Sequence, residues 1–165
     1  MSATPPPPLT RALGTAERSV RALLERQLGS AGLSFPEWTV LTVLDGGGPL
    51  PARRLVQAQL GGKVVPDAVA AEATVERLCS SGLLTAGAAA ETAVAASDDT
   101  PDGPALAATA AGEAAYRPVR QAVDRITNEL FRDLPPADVE ATRRTLTEVT
   151  RRAEALLAQP PTPPE

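Results

Sequence analysis

Few side chains in this chain have the types and spacing that catalysis or metal binding needs, and histidine is absent altogether. Without histidine, the commonest general base and the commonest metal ligand are both missing. The glycines Gly46 to Gly48 precede Pro49 and lack the Lys-Ser/Thr pair that closes a phosphate-binding loop. A hydrolase built on carboxylates stays open as an alternative, although no two carboxylates pair convincingly. We therefore expect a protein that is not an enzyme and that holds no metal or cofactor.

Cys79 is the only cysteine, so the chain has no internal disulfide framework and the cytoplasm is the expected compartment. We expect this thiol to be buried and structural rather than reactive. The apolar runs are too short to span a membrane and no signal-peptide pattern opens the chain, so we expect no membrane association.

The placement of charge is more informative than the formal net charge of −4. No Lys or Arg occurs in the 39 residues from Leu78 to Tyr116. The same interval contains five carboxylates, namely Glu91, Asp98, Asp99, Asp102 and Glu113. A surface that faces DNA phosphates should carry the opposite sign.

Two helices are predicted in the first third of the chain. The first should start with Thr10 as its N-cap, reach about Ser30 and end at Gly29 and Gly32. The second should start at Ser34, since Glu37 three residues later completes a capping-box pattern.

Two shorter helices and a pair of strands are predicted next. After a stub of strand at Leu50, the spacing predicts a helix over 52–60 and another from Pro66 or Asp67 to Ser81. Gly82 is suited to the left-handed position that follows a helix. Residues 90–95 and 104–109 can form two weak strands around a polar turn, 97–104.

The last third of the chain predicts two long helices, over 110–132 and up to about Ala158. Their apolar residues alternate at spacings of three and four, which is the pattern of a helix-pairing surface. Periodicity alone does not distinguish pairing between chains from a bundle within one chain. Proline-rich tails over 1–9 and 160–165 are expected to be extended or disordered.

The order and spacing of these elements resemble the MarR family of bacterial transcription regulators. The matching pieces are LSFPEWTVLTVL, ARRLVQAQL, TVERLCSSGLL, the acidic turn near DDTPDGPAL, and LAATAAGEAAYRPV. The resemblance extends from Thr10 to Gln159. It implies a mainly α fold with a small β-hairpin wing, in which a winged helix-turn-helix lobe is joined to a helical dimerisation region.

The resemblance also implies a division of the chain and a set of partners. Residues 10–31 would be an N-terminal dimerisation helix, 32–112 the winged lobe and 113–159 the C-terminal dimerisation helices. Family members are homodimers that typically repress genes on double-stranded DNA, and many release it on binding a small phenolic or other organic ligand.

The helix from Asp67 to Ser81 would be the recognition helix in the major groove. Family members commonly carry Ser, Thr, Arg and Gln there, whereas this chain has the run Val69-Ala70-Ala71-Glu72-Ala73. The wing pattern Asp-x-Arg is matched by Asp102-Gly103-Pro104, without the arginine. Two hypotheses follow: a MarR-like regulator that binds DNA, or a repurposed fold that has lost operator binding and serves as a ligand-binding or protein-interaction module.

Four basic residues are the candidates for DNA contact. Arg53 and Arg54 begin the short helix, Lys63 lies in the following turn, and Arg77 is inside the recognition helix. Without the family context, Arg53 and Arg54 would be read as a solvated helix face. Arg77 matches a family position that tends to be structural.

Three aromatic residues are the candidates for the ligand pocket that the family places between the dimer helices and the DNA-binding lobe. They are Phe35, Trp38 and Tyr116. For Trp38, a place in the core is the favoured alternative, because its neighbours at helical spacing are leucines. Tyr116 differs from the other two in offering a hydroxyl to a ligand.

Overall fold

The structure is a computed structural model, and it describes residues 8–86 and 104–159. These residues form six helices and three short strands, in the order α1 (Leu9–Ala31), α2 (Phe35–Gly47), β1 (Leu50–Pro51), α3 (Ala52–Gly61), α4 (Ala68–Ser80), β2 (Leu84–Ala86), β3 (Ala105–Ala108), α5 (Ala110–Phe131) and α6 (Pro136–Leu157). The predicted fold class, mainly α with a small β-hairpin wing, is confirmed. No helix in these two ranges is long and apolar enough to cross a membrane.

The start of α1 differs from the prediction. The helix begins at Leu9 and its N-cap is Pro8, so the prediction that Thr10 is the N-cap was wrong. The Pro8 carbonyl already accepts hydrogen bonds from the backbone N–H groups of Arg11 and Ala12, at 2.9 and 3.2 Å. The helix ends at Gly32 as predicted, because the φ of +66° there is a left-handed conformation that glycine adopts without strain. Gly29, in contrast, lies inside the helix.

The predicted capping box starts α2. The Ser34 hydroxyl accepts from the Glu37 backbone N–H at 3.4 Å, while a Glu37 carboxylate oxygen accepts from the Ser34 N–H at 2.8 Å. The two groups thus satisfy backbone donors that the first turn leaves unpaired. Val40, Leu41 and Leu44 form the buried side of this helix.

Helices α3 and α4 form the helix-turn-helix pair. Asp67 caps α4 by accepting from the Ala70 N–H at 2.9 Å. Gln59 is 2% exposed, and its Nε2 donates to the Ala71 carbonyl at 3.3 Å, which joins the two helices. Lys63, in the turn between them, has a φ of +52°, which is unusual for a residue with a side chain.

The three strands form an antiparallel sheet in the order β1-β3-β2. Leu50 pairs with Leu106, and Leu84 pairs with Ala108. The predicted strand over 104–109 and the strand stub at Leu50 are therefore confirmed. The predicted strand over 90–95 and the polar turn 97–103 lie outside the described residues. Besides β1, the described partner of β3 is β2, which begins two residues after Gly82.

The chain divides into two compact units, residues 1–123 and 124–165. The first contains the winged lobe, whose core consists mainly of Leu and Val side chains from α2, α3, α4 and the sheet, with Tyr116 of α5 as its buried aromatic residue. The second contains the end of α5 and all of α6. The domain boundaries inferred above remain predictions.

Candidate functional site: the outer face of helix α4 and a cavity beside Tyr116

The outer face of α4 is apolar and acidic. Its inner side buries Ala71, Thr74, Val75 and Leu78 against the lobe. On the other side Val69 is 74% exposed, and Glu72 and Glu76 are also exposed. Because burial of one helix side fixes which side remains outside, the exposed side of α4 presents a valine and two carboxylates. A recognition helix would carry polar or basic side chains there.

Arg77 is held by residues of its own lobe. Its Nε lies 3.5 Å from Oε1 of Glu37, and its Nη2 donates to the Thr74 hydroxyl at 3.2 Å. Burial raises the pKa of Glu37, but hydrogen bonds from Ser34 and Arg77 outweigh it, so the pKa lies below its usual value. These contacts fix α4 to the start of α2, which favours the structural interpretation of Arg77.

The other three basic candidates are exposed around α3. Arg53 and Arg54 are in its first turn, while Lys63 follows its last residue by two positions. A helix of this length is about 15 Å long, since it rises ~1.5 Å per residue. The basic side chains therefore lie at the two ends of α3 rather than in one cluster.

The interval without basic residues is only partly described. Its described stretches, 78–86 and 104–116, contain one carboxylate, Glu113, which forms an ion pair with Arg117 at 3.5 Å. Glu91, Asp98, Asp99 and Asp102 lie outside the described residues. The prediction of a buried Cys79 was wrong, because its position on α4 faces away from the core and the thiol is exposed.

Two of the aromatic candidates form a cluster at the start of α2. The ring centroids of Phe35 and Trp38 are 5.9 Å apart, and the guanidinium of Arg21 lies over the Phe35 ring at 5.2 Å. Trp38 is half-buried, and its indole N–H is buried without a hydrogen-bond partner among the described residues. Both rings pack against the core, as the alternative interpretation of Trp38 expected.

Tyr116 faces a different space. It is 8% exposed and lines a cavity of about 260 Å³ between the end of α2, the sheet and the start of α5. The polar lining side chains are Tyr116, Asp45 and Glu113; the apolar ones are Leu41, Leu44, Pro49, Ala107 and Ala108. Phe35 and Trp38 do not line this cavity, so the structure does not bring the three aromatic candidates together.

Asp45 and Glu113 were missed as site residues by the sequence reasoning. Glu113 precedes Tyr116 by three positions, which places both on one face of a helix. That spacing was available in the sequence. The approach of Asp45 was not, because it depends on how the end of α2 packs beside the sheet.

The second unit has an apolar groove of its own. This groove, of about 400 Å³, is lined mainly by Phe131, Leu134, Pro135, Val139, Thr142 and Leu146, with Asp138 and Arg143 also at its walls. None of the residues of α6 is buried. Leu146, Val149, Leu156 and Leu157 are 40 to 70% exposed, so the apolar side of the predicted pairing helix has no cover within its own unit.

No protein-family profile matches the sequence, and no curated protein is significantly similar to it. Solved structures, in contrast, match along most of the chain. Wild-type MarR from E. coli in its apo form is 18% identical over 87% of this chain and 98% of its own, with a TM-score of 0.60. RV1404 from Mycobacterium tuberculosis is 22% identical over 91% and 97%, with a TM-score of 0.60. NadR in complex with 4-hydroxyphenylacetate is 17% identical over 90% and 96%, with a TM-score of 0.62. The chain thus has a MarR-like winged helix fold, on a sequence that has diverged far from those of its structural neighbours.

Proposed function

We propose that the protein is a MarR-like transcription regulator that binds double-stranded DNA as a homodimer and is released by a small organic ligand. The observation that carries this proposal is the helix-turn-helix pair: α4 lies with one whole side exposed, and the exposed basic residues Arg53, Arg54 and Lys63 lie at the two ends of the adjacent α3. In helix-turn-helix proteins the second helix reads bases while neighbouring groups hold the phosphates.

The exposed residues of α4 also suit a particular form of base reading. In the major groove, the methyl groups of Val69 would contact the methyl group of thymine. The carboxylate of Glu72, one helical turn later, would accept a hydrogen bond from the amino group of cytosine. Because neither side chain binds phosphate, affinity in this arrangement depends on Arg53, Arg54 and Lys63.

Homodimerisation is supported by the exposed apolar side chains of the terminal helices. Leu13 and Val20 of α1 are 41% and 51% exposed, and no residue of α6 is buried. Apolar side chains that stay exposed along a helix in such number usually mark an interaction site. We infer that a second copy of the chain covers it, and sedimentation at micromolar concentration is expected to show a dimer of 34 kDa rather than a monomer of 17.0 kDa.

DNA binding is tested by fluorescence polarisation with a labelled duplex from the region upstream of the protein's own gene. Binding should weaken steeply as salt rises, because phosphate contacts release counterions. Arg54→Gln and Lys63→Asn should each reduce the slope of log K against log salt by about one. Arg26→Gln, an exposed arginine of α1, is the matched control and should leave the slope unchanged. A slope near zero for the unmodified protein would contradict the proposal.

A second candidate function is favoured by the charge of α4 and the segment after it. Asp67, Glu72 and Glu76 outnumber Arg77, which Glu37 already binds, and residues 78–116 contain no basic residue. On this view the fold retains its dimer and its cavity but has lost operator binding. Introducing arginine through Ala73→Arg and Gly103→Arg separates the two functions. If the unmodified protein shows no detectable DNA affinity and the arginine variants gain it, the loss of operator binding is supported. Measurable DNA affinity in the unmodified protein refutes this second function.

A further inference from the structure

We propose that the cavity beside Tyr116 is a binding site for a small protonated amine with an apolar body, such as an arylalkylamine. The site lies wholly within the first unit, and its walls come from the end of α2, from β3 and from the first two turns of α5. The inference rests on the proposed function only for its regulatory consequence; amine binding itself needs no DNA.

The first observation is an unused hydrogen-bonding group. Tyr116 is 8% exposed, yet no described residue donates to its hydroxyl or accepts from it. Its hydroxyl oxygen is not among the fully buried side-chain oxygens without a partner, so it keeps contact with solvent. Because Tyr116 lines the cavity and buried phenol groups ordinarily have a partner, its hydroxyl is suited to a ligand.

The second observation is the sign of the charged side chains in the lining. Among the described residues, the charged side chains of the lining are Asp45 and Glu113, which offer carboxylate oxygens that only accept hydrogen bonds, and no basic donor lines it. Its other side chains are mostly those of Leu, Ala and Pro. A ligand that matches this surface must donate hydrogen bonds at one end and bury an apolar body at the other.

Both carboxylates already have arginine partners, which lie outside the lining. Arg120 forms an ion pair with Asp45, and Arg117 forms one with Glu113 at 3.5 Å. All four side chains are well exposed, from 39 to 69%, so these pairs are weak and screened by solvent. Each carboxylate has further lone pairs. An ammonium group can therefore bind to either one without displacing its arginine.

The same lining discriminates against carboxylate ligands. A carboxylate ligand would meet only hydrogen-bond acceptors on the charged lining side chains, because Arg117 and Arg120 lie outside the lining and are already paired with Glu113 and Asp45. The volume of about 260 Å³ is near the lower end of small-molecule sites, which suits a single ring with a short chain. In a DNA-bound regulator, such a ligand would contact β3, the strand that leads out of the wing.

The test compares 2-phenylethylamine with its carboxylate counterpart 3-phenylpropionate by isothermal titration calorimetry at pH 7, on the full chain without DNA. We expect the amine to bind at least tenfold more tightly than the carboxylate, which corresponds to about 1.4 kcal/mol. Glu113→Gln and Tyr116→Phe should each weaken amine binding about fivefold to tenfold. Glu129→Gln removes a comparable exposed ion pair, with Arg132, in the second unit, whose residues do not line the cavity, and should leave amine binding unchanged.

Three results would overturn the proposal. They are equal or tighter binding of the carboxylate, amine binding that neither cavity variant weakens, and no heat of binding at millimolar amine. Circular dichroism checks that Tyr116→Phe is folded, and Glu113→Gln, at an exposed position, keeps the test decisive if it is not. Because no DNA is present, a negative result here leaves the DNA-binding proposal to its own assay.

Discussion

Gly112→Ala should destabilise the winged lobe more than alanine at any other described glycine, because the backbone of Leu83, just before β2, occupies the place of the missing side chain. Gly112 is buried near the start of α5. A Cβ atom added to it would lie 2.2 Å from the carbonyl oxygen of Leu83, although real Cβ atoms essentially never come closer than 3.0 Å to such an atom. The obstacle is backbone, which cannot rotate away as a side chain can.

The free energy of unfolding should fall by about 2–4 kcal/mol. Forcing a methyl group into a well-packed contact costs about 1–3 kcal/mol. Moving Leu83 also strains the hydrogen bond that its carbonyl accepts from the Thr109 N–H at 3.0 Å, and a bond of this kind contributes about 1 kcal/mol. Since domains of ordinary size have about 5–15 kcal/mol of stability in total, the loss should be easily measured.

The assay is urea unfolding followed by circular dichroism, with Gly46→Ala as the matched control. Gly46 lies in the last turn of α2, and nothing is within 4 Å of its added Cβ atom. Alanine there should be neutral or stabilise the lobe by up to about 1 kcal/mol. The packing argument fails if Gly112→Ala and Gly46→Ala unfold at the same urea concentration.

Substitutions at three further positions test the interior contacts and the turn. The Oε1 of Gln59 is buried without a hydrogen-bond partner among the described residues. Gln59→Met, which keeps the volume of the side chain, should therefore change the free energy of unfolding by less than about 1.5 kcal/mol, whereas Gln59→Ala should lower it by about 2 kcal/mol or more. Equal losses for the two variants in urea unfolding would contradict this. The pKa of Glu37 is lowered in the folded state. Its ionised form therefore stabilises the protein above the unfolded pKa of about 4.3, and this stabilisation is lost as the pH falls through the folded pKa. The stability difference between the protein and Glu37→Gln should therefore be larger at pH 7 than at pH 3, and a constant difference would argue against the ionic role. Lys63 has a φ of +52°, which asparagine tolerates and valine does not. Lys63→Asn should therefore leave the urea midpoint nearly unchanged, while Lys63→Val should lower the free energy of unfolding by about 1–2 kcal/mol. Similar midpoints for the two variants would show that the turn is not constrained.

The parts of the fold that could be predicted from sequence are those with a local physical cause. The capping box of Ser34 and Glu37 and the left-handed Gly82 are both present as expected. Each depends on residues within three or four positions of one another. Thr10 was the exception, because the Pro8 carbonyl two residues earlier was already able to start the helix.

The parts that could not be predicted depend on pairs of residues far apart in the chain. The Thr109 hydroxyl donates to the Gly82 carbonyl at 2.7 Å and accepts from the Gly112 N–H at 3.0 Å, which joins the start of α5 to the turn before β2. The contact between Arg77 and Glu37 spans 40 positions in the same way. No periodicity or motif of a single sequence specifies such pairs. For the same reason Asp45 was not expected beside Tyr116.

In this chain the residues that fix the fold and the residues that would determine DNA binding lie in different places. The three solved structures compared above are only 17 to 22% identical to this chain, yet their TM-scores are 0.60 to 0.62. Buried and backbone-constrained positions, such as Gln59 and Gly112, fix the lobe, while the residues that would meet DNA are exposed and are free to change without loss of the fold. Val69 and Glu72 can replace polar reading residues because their side chains contribute nothing to the core. The decisive variants are therefore those of exposed side chains. Lys63→Asn removes the charge but keeps the left-handed turn. A reduced salt slope with an unchanged urea midpoint would identify Lys63 as a DNA contact rather than a structural residue.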